Sequence, residues 1–193
     1  MTEPRSNPGL AAARHITPSV QRLLDRLVDA PVAVSDAAMT LLLANPMYGA
    51  LLGDLSGLRG LERNDAWRCF MGVPTRVRHT PEERRACEVG MVSQLRRTAA
   101  RYPADRQLRR LIGELRTSSE RFAELWDAGA VGRFEAWHKT IEHPQVGLLT
   151  LDCDLLPLEE SDLYILVYSA EPGTGAAEKL ELISVVGTQS LVE

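Results

Sequence analysis

The chain has 193 residues, 45% hydrophobic and 25% charged, with a formal net charge of -4. That is enough for one domain with its own core, and too acidic for a protein that grips nucleic acid unaided. No apolar run approaches the ~20 residues of a membrane-spanning helix, no charged-then-apolar leader stands at the start, and three scattered cysteines, Cys69, Cys87 and Cys153, make no disulfide framework.

These limits predict a cytoplasmic protein with residues 1–15 as a loose tail or linker and 16–193 as the folded unit. Charge is unevenly spread within it. Between Arg84 and Arg121 stand ten arginines against four acids, whereas from Ile141 onward Lys179 faces ten acids. A basic helical face and an acidic sheet edge would suit self-association; solvated faces of amphipathic elements account for the same split.

In chain order, Thr17-Pro18 caps and opens a short helix whose apolar stripe runs Val20, Leu23, Leu24, Leu27 and Val28. Pro31 ends it, and Val32–Val34 and Leu41–Leu43 form a strand pair about a turn at Ser35-Asp36. Asn45-Pro46 is a cap followed by a first-turn proline, so a helix runs from there to Gly53. Thr80-Pro81-Glu82-Glu83 is a capping box with proline in the first turn. The helix it opens places Cys87, Gly90, Met91, Gln94, Leu95 and Thr98 on one face, and Pro103 closes the segment. Leu108, Leu111, Ile112 and Leu115 make a further stripe. Thr117-Ser118-Ser119-Glu120 reads as a second capping box before Phe122, Leu125 and Trp126.

After Gly129 the period changes from 3.6 to 2. Strands are predicted from Phe134 to Ile141, from Val146 to Leu155 and from Leu163 to Ala170, the last apolar on both faces as a central strand would be. A helix from about Thr174 through Ile183 closes the order. Two strands, a helical crossing, then three antiparallel strands under packed helices make an α+β, PAS-like arrangement.

The segments "RYPADRQLRRLIGELRTSSERFAELW", "IEHPQVGLLTLDCDLLPL" and "LYILVYSAEPGTGAAEKLELI" resemble the MmyB-like transcription-regulator ligand-binding domain. "VQRLLDRL", "LLLANPMYGALLGD" and "ERNDAWRCF" fit the same family in the right order, so the resemblance runs from about Ile16 to Ile183. It implies the sensor part of a helix-turn-helix regulator of the XRE type, with the helix-turn-helix outside this chain. Two departures stand out. The family generally has Trp where Cys87 precedes Glu88, and the stretch after Trp126 reads Asp127-Ala128-Gly129-Ala130-Val131. A Trp-to-Cys difference frees volume if the position lines the ligand cavity.

The implied function is small-molecule sensing, with an apolar or fatty-acid-like ligand between sheet and helices. Asn45, Trp67, Cys87, Met91, Leu95, Trp126, His143 and Tyr168 are the candidate ligand-binding residues, with Arg96 as a further polar anchor or a solvated surface charge. His143, in His143-Pro144-Gln145-Val146-Gly147, would either meet the ligand or hold the turn between two strands. Cys87 reads as cavity wall or as a thiol activated by Arg84 and Arg85. Ser118-Ser119 suits capping rather than nucleophilic work, and Gly173-Thr174-Gly175 lacks the Lys-Ser/Thr of a nucleotide loop. No catalytic set, metal site or cofactor is expected, since His15, His79 and His138 lack ligand spacing. The partners expected are the ligand, a second copy in a homodimer joined through the helix at Val20–Val28, and DNA only through a helix-turn-helix elsewhere. The competing readings are a stand-alone biosynthetic enzyme on the same fold, using Cys87, Glu88, His138 or His143, and a dimerisation module.

Overall fold

The structure, a computed structural model, describes Ala12 and residues 14–132, 138–158 and 161–189. Local signals set its first half. The Thr17 hydroxyl accepts from the Val20 N–H to cap α1 (Pro18–Arg26), which buries Val20 and Leu24. β1 (Val32–Ser35) and β2 (Leu41–Ala44) pair antiparallel. Asn45 caps α2 (Pro46–Leu52), and Gly53 ends it at φ 102, a backbone value that side-chain-bearing residues rarely adopt.

The helical layer follows. The Thr80–Glu83 capping box opens α4 (Pro81–Arg101), which buries Met91, Val92, Leu95 and Thr98. α5 (Arg106–Ser118) is capped by Asp105 and packs Leu108, Leu111, Ile112 and Leu115 inward. α6 (Glu120–Asp127) starts from Ser119, whose hydroxyl accepts from the Phe122 N–H. The second capping box therefore does not form as the sequence pattern suggests. Thr117 turns its hydroxyl back to the carbonyls of Gly113 and Glu114, the usual behaviour of a threonine still inside a helix.

β4 (His138–His143), β5 (Gly147–Leu158) and β6 (Leu163–Ser169) then build the sheet, and α7 (Gly175–Gln189) returns across it. The start of the predicted Phe134 strand, and with it Trp137, lies outside the described residues. Three elements have no counterpart in the sequence reading: a 3-10 turn at Gly60–Arg63, α3 (Asp65–Phe70) and β3 (Val77–Arg78). β3 pairs with β4 and extends the sheet to six strands, in the order β2-β1-β6-β5-β4-β3, antiparallel throughout. The α+β, PAS-like class stands, with one more edge strand than the pattern predicts.

Alternation along the central strands gives the sheet two different faces. Val32, Val34, Leu163 and Ile165 form one core with Val20 and Leu24 of α1. The opposite face carries Ala33, Leu151, Cys153 and Tyr168, and packs on Tyr48 and Leu51 of α2 and Leu180 and Ile183 of α7. The helices α3 to α6 share a separate core around Leu95, Leu115 and Phe122.

Arg14 joins these parts. Its guanidinium lies 3.1 Å from Asp36, in the β1–β2 turn, and 3.0 Å from Asp105, the α5 cap. Both carboxylates are buried. Burial raises the pKa of Asp36 despite its hydrogen bonds from the Thr40 and Ala38 N–H groups and the Arg14 charge. At Asp105 burial also pushes upward, but the Leu108 and Ala12 N–H groups and Arg14 outweigh it and the pKa is lowered. Arg14→Ala leaves two buried carboxylates without their cation. Because 26% of the arginine side chain is exposed, the expected loss is about 2–3 kcal/mol, at the low end for breaking a buried pair. Urea unfolding of the variant measures it, and a loss below about 0.5 kcal/mol would show the clamp to be a surface contact.

Candidate functional site: a cavity between sheet and helices

A cavity of about 420 Å³ lies between the second sheet face and the helices, within the size range of small-molecule sites. Its position follows from the elements around it. Register pairs Cys153 with Tyr168 and Leu155 with Leu166 across β5 and β6, so these four side chains form one patch of the wall. α2 adds Tyr48 and Leu52, α3 adds Asp65, Arg68 and Cys69, and α4 adds Cys87, Met91 and Gln94. The segment from Gly72 to His79 closes the ring. Tyr48, Met91, Cys153 and Tyr168 are buried, whereas Arg78 and Arg84 are more than half exposed. The cavity thus has an apolar inner end and a cationic outer one.

Gln94 ties this wall to the β1–β2 turn, its amide donating to the Ala37 carbonyl at 3.3 Å and contacting the Tyr164 hydroxyl at 3.4 Å. In that turn Met39 takes φ 64, a costly left-handed value for a side-chain-bearing residue. Asp36 holds the loop there by accepting from the Ala38 and Thr40 N–H groups, and Met39 lines the cavity.

Charge on the cavity wall is one-sided. Arg68, Arg78, Arg84 and Lys139 face a single carboxylate, Asp65. Arg68 stands 3.7 Å from Asp65. Confinement raises the Asp65 pKa, outweighing the nearby Arg68 and Lys139 charges. Lys139 is on β4, on the same face as Leu151, its partner across the strands. Among the described residues its ammonium has no hydrogen-bond or ion-pair partner. His79 is held below its ordinary pKa by burial and then by Lys139.

All three cysteines of the chain line this cavity. Cys153, across the strands from Tyr168, is pushed up to about 11 by burial and stays a thiol. Cys69 and Cys87 are neighbours on this wall, where Arg84, three residues before Cys87, donates to the Cys69 carbonyl at 3.3 Å. Interaction with the Cys87 thiol, then burial, drives Cys69 upward. The same interaction with the Cys69 thiol lowers Cys87 against the effect of burial, and Lys139 adds to the lowering.

Of the residues singled out in the sequence, the structure brings Cys87, Met91 and Tyr168 to the cavity. The others sit elsewhere. Asn45 spends its side chain on the backbone, accepting from the Val32 and Tyr48 N–H groups and donating to the Leu27 and Ala30 carbonyls. Leu95 is fully buried in the helical core, and Trp67 packs against the same core. Trp126 stacks on Phe122, ring centroids 5.6 Å apart, with exposed Arg96 over its ring. Glu88 is ion-paired to Arg84 and Arg121, and His138 is paired with Asp152 on the surface. Arg68, Lys139, Tyr48 and Cys69 are cavity residues that the sequence reading did not place in the site. A lone lysine in a strand and a cysteine in a six-residue helix carry no periodic signal.

His143 holds the end of α2. Gln145 N–H donates to Nδ1, so Nε2 carries the proton and donates to the Ala50 carbonyl at 3.0 Å. Arg76 donates to the same carbonyl and to that of Leu51. Burial, with Arg76 nearby, lowers the His143 pKa. A depressed histidine contributes stability that is full above its unfolded value near 6.5 and is lost as pH falls through the folded value. Between about pH 8 and pH 5 the wild type is therefore expected to lose more melting temperature than His143→Gln. His79 leaves a residual slope in both. Equal slopes for the two proteins would remove this role from His143.

A search among curated proteins finds no match. The sequence does match the family described as the MmyB-like transcription regulator ligand binding domain, over residues 16–183. That span runs from just before α1 to the middle of α7 and includes every element that lines the cavity. The chain belongs to the MmyB-like transcription regulator ligand-binding domain family.

Proposed function

We propose that this sensor domain binds an amphiphilic anion, an apolar chain ending in a carboxylate, in the cavity between sheet and helices. The observation that carries the reading is Lys139, a cation without a partner among the described residues, on the wall of a cavity whose inner end is apolar. An ammonium on the wall without a counter-ion gains a charge-assisted hydrogen bond from an incoming carboxylate. Arg68 stands ready to share the head group, and Leu155, Leu166, Met91 and Tyr168 suit a hydrocarbon chain. A fatty acid has this chemistry. In this reading occupancy biases the geometry of a dimer, and a helix-turn-helix outside these residues reads the DNA.

Native mass spectrometry with palmitate should show one molecule bound per chain, and Lys139→Gln should weaken binding about tenfold, the loss of roughly one charge-assisted hydrogen bond. Cys87→Trp is expected to reduce affinity with little change in melting temperature, because the new ring occupies cavity volume. A close-packed site would instead lose about 1–3 kcal/mol of stability. Affinity equal to wild type in both variants would overturn the reading.

The homodimer is assigned to α1. With Val20 and Leu24 turned into the domain, Leu23 and Val28 on and just beyond α1 are 41% and 60% exposed. Light scattering at micromolar concentration should give a dimer mass that Leu23→Glu reduces to that of the monomer. A wild type that stays monomeric removes the assignment.

A further inference from the structure

Cys69 on α3 and Cys87 on α4 approach each other across the cavity wall. Both line the same cavity, Arg84, three residues before Cys87 on α4, donates to the Cys69 carbonyl at 3.3 Å, and both residues are half-buried rather than sealed in the core. Neither is joined in a disulfide. Among the described residues no group of three His, Cys, Asp or Glu side chains is placed to hold a metal ion. The groups facing it are Asp65 on α3, Arg84 and Glu88 on α4, and Lys139 on β4. An accessible, thiolate-leaning cysteine with a second thiol beside it is the arrangement that oxidises selectively and reversibly.

We propose that Cys87 and Cys69 form a peroxide-reactive pair whose substrate is an amphiphilic organic hydroperoxide held in the cavity. The inference rests on the amphiphile reading for its substrate and on the two sulfurs for its chemistry. The Cys87 thiolate attacks the terminal oxygen of the hydroperoxide. An S–O bond forms, the O–O bond breaks, and the leaving alkoxide takes a proton to become the alcohol. The sulfur of Cys69 then displaces hydroxide from the Cys87 sulfenic acid. The S–O bond breaks, the S–S bond forms, and the thiol proton of Cys69 leaves with the hydroxide as water. In total two thiols and one hydroperoxide give a disulfide, an alcohol and water. Bonding requires the two side chains, which share one stretch of the cavity wall, to rotate until their sulfurs meet. The bond would tie α3 to α4 across the wall that carries Arg68 and Met91.

The test treats the purified chain with one equivalent of linoleic acid hydroperoxide and counts alkylatable thiols by denaturing mass spectrometry, with and without excess palmitate. The expected result is loss of two thiols of the three, a mass lower by two hydrogens, a Cys69–Cys87 peptide and slowing by palmitate. Cys69→Ser should stop with one added oxygen that dimedone traps, and Cys87→Ser should keep its thiols. Retention of all three thiols by the wild type, or a disulfide through Cys153, would overturn the proposal. Palmitate binding is measured in parallel on untreated protein. Binding without disulfide formation sinks the peroxide inference and leaves the anion-binding cavity standing. Disulfide formation without palmitate binding or competition upholds the thiol pair and removes the amphiphile reading.

Discussion

Asn45 is the joint on which the sheet side of the cavity depends. One buried amide takes N–H groups from the start of β1 and the first turn of α2, and gives its own to carbonyls between α1 and β1. Four hydrogen bonds, to β1, to α2 and to the connection between α1 and β1, fix where α2 lies, and that place sets Tyr48 and Leu52 against the cavity. Asn64 does the same for the next wall. It donates to the Ala38 carbonyl and the Thr40 hydroxyl and accepts from the Trp67 N–H to cap α3, which places Asp65, Arg68 and Cys69. Walls fixed from outside by buried, satisfied polar groups do not need to touch one another across the middle. An interior otherwise close-packed can therefore keep a space of ligand size.

That division of labour explains what the sequence shows and what it hides. Caps are local chemistry: Thr17, Asn45 and Thr80 each act within three residues on the backbone, so the starts of α1, α2 and α4 are legible. The apolar stripe of α4 is legible for the same reason, and it leads to Cys87 and Met91. α3 and β3 are not, because six residues of mixed polarity and a two-residue strand carry too little periodicity. They exist because Asn64 and β4 hold them. Polar residues with strong local signatures, Asn45 and His143, commit their side chains to backbone groups at the ends of α2. Lys139 faces the cavity through strand register alone, and its partners in space lie far away in sequence.

The two faces of the sheet also differ in kind. Beneath α1 the packing is valine, leucine and isoleucine with no described polar intrusion. Toward the helices it includes tyrosines, sulfur and Lys139, a cation with no ion-pair partner among the described residues. Tyr48 and Tyr168, with rings 6.0 Å apart, both resist ionisation because of burial, so their hydroxyls offer hydrogen bonds rather than charge. One face is built to be filled by the protein itself, and the other to be completed by something else.

Arg14 bears on how a filled cavity would be felt elsewhere. Its two carboxylates belong to different parts of the domain: Asp36 to the turn whose strained Met39 touches the cavity, and Asp105 to the start of α5, which also accepts the Ala12 N–H. A force applied at Ala12 is consequently delivered through Asp105 to the helical layer and through Arg14 to the cavity turn. The N-terminal approach to the domain and the turn that carries Met39 are thus tied together through a single guanidinium.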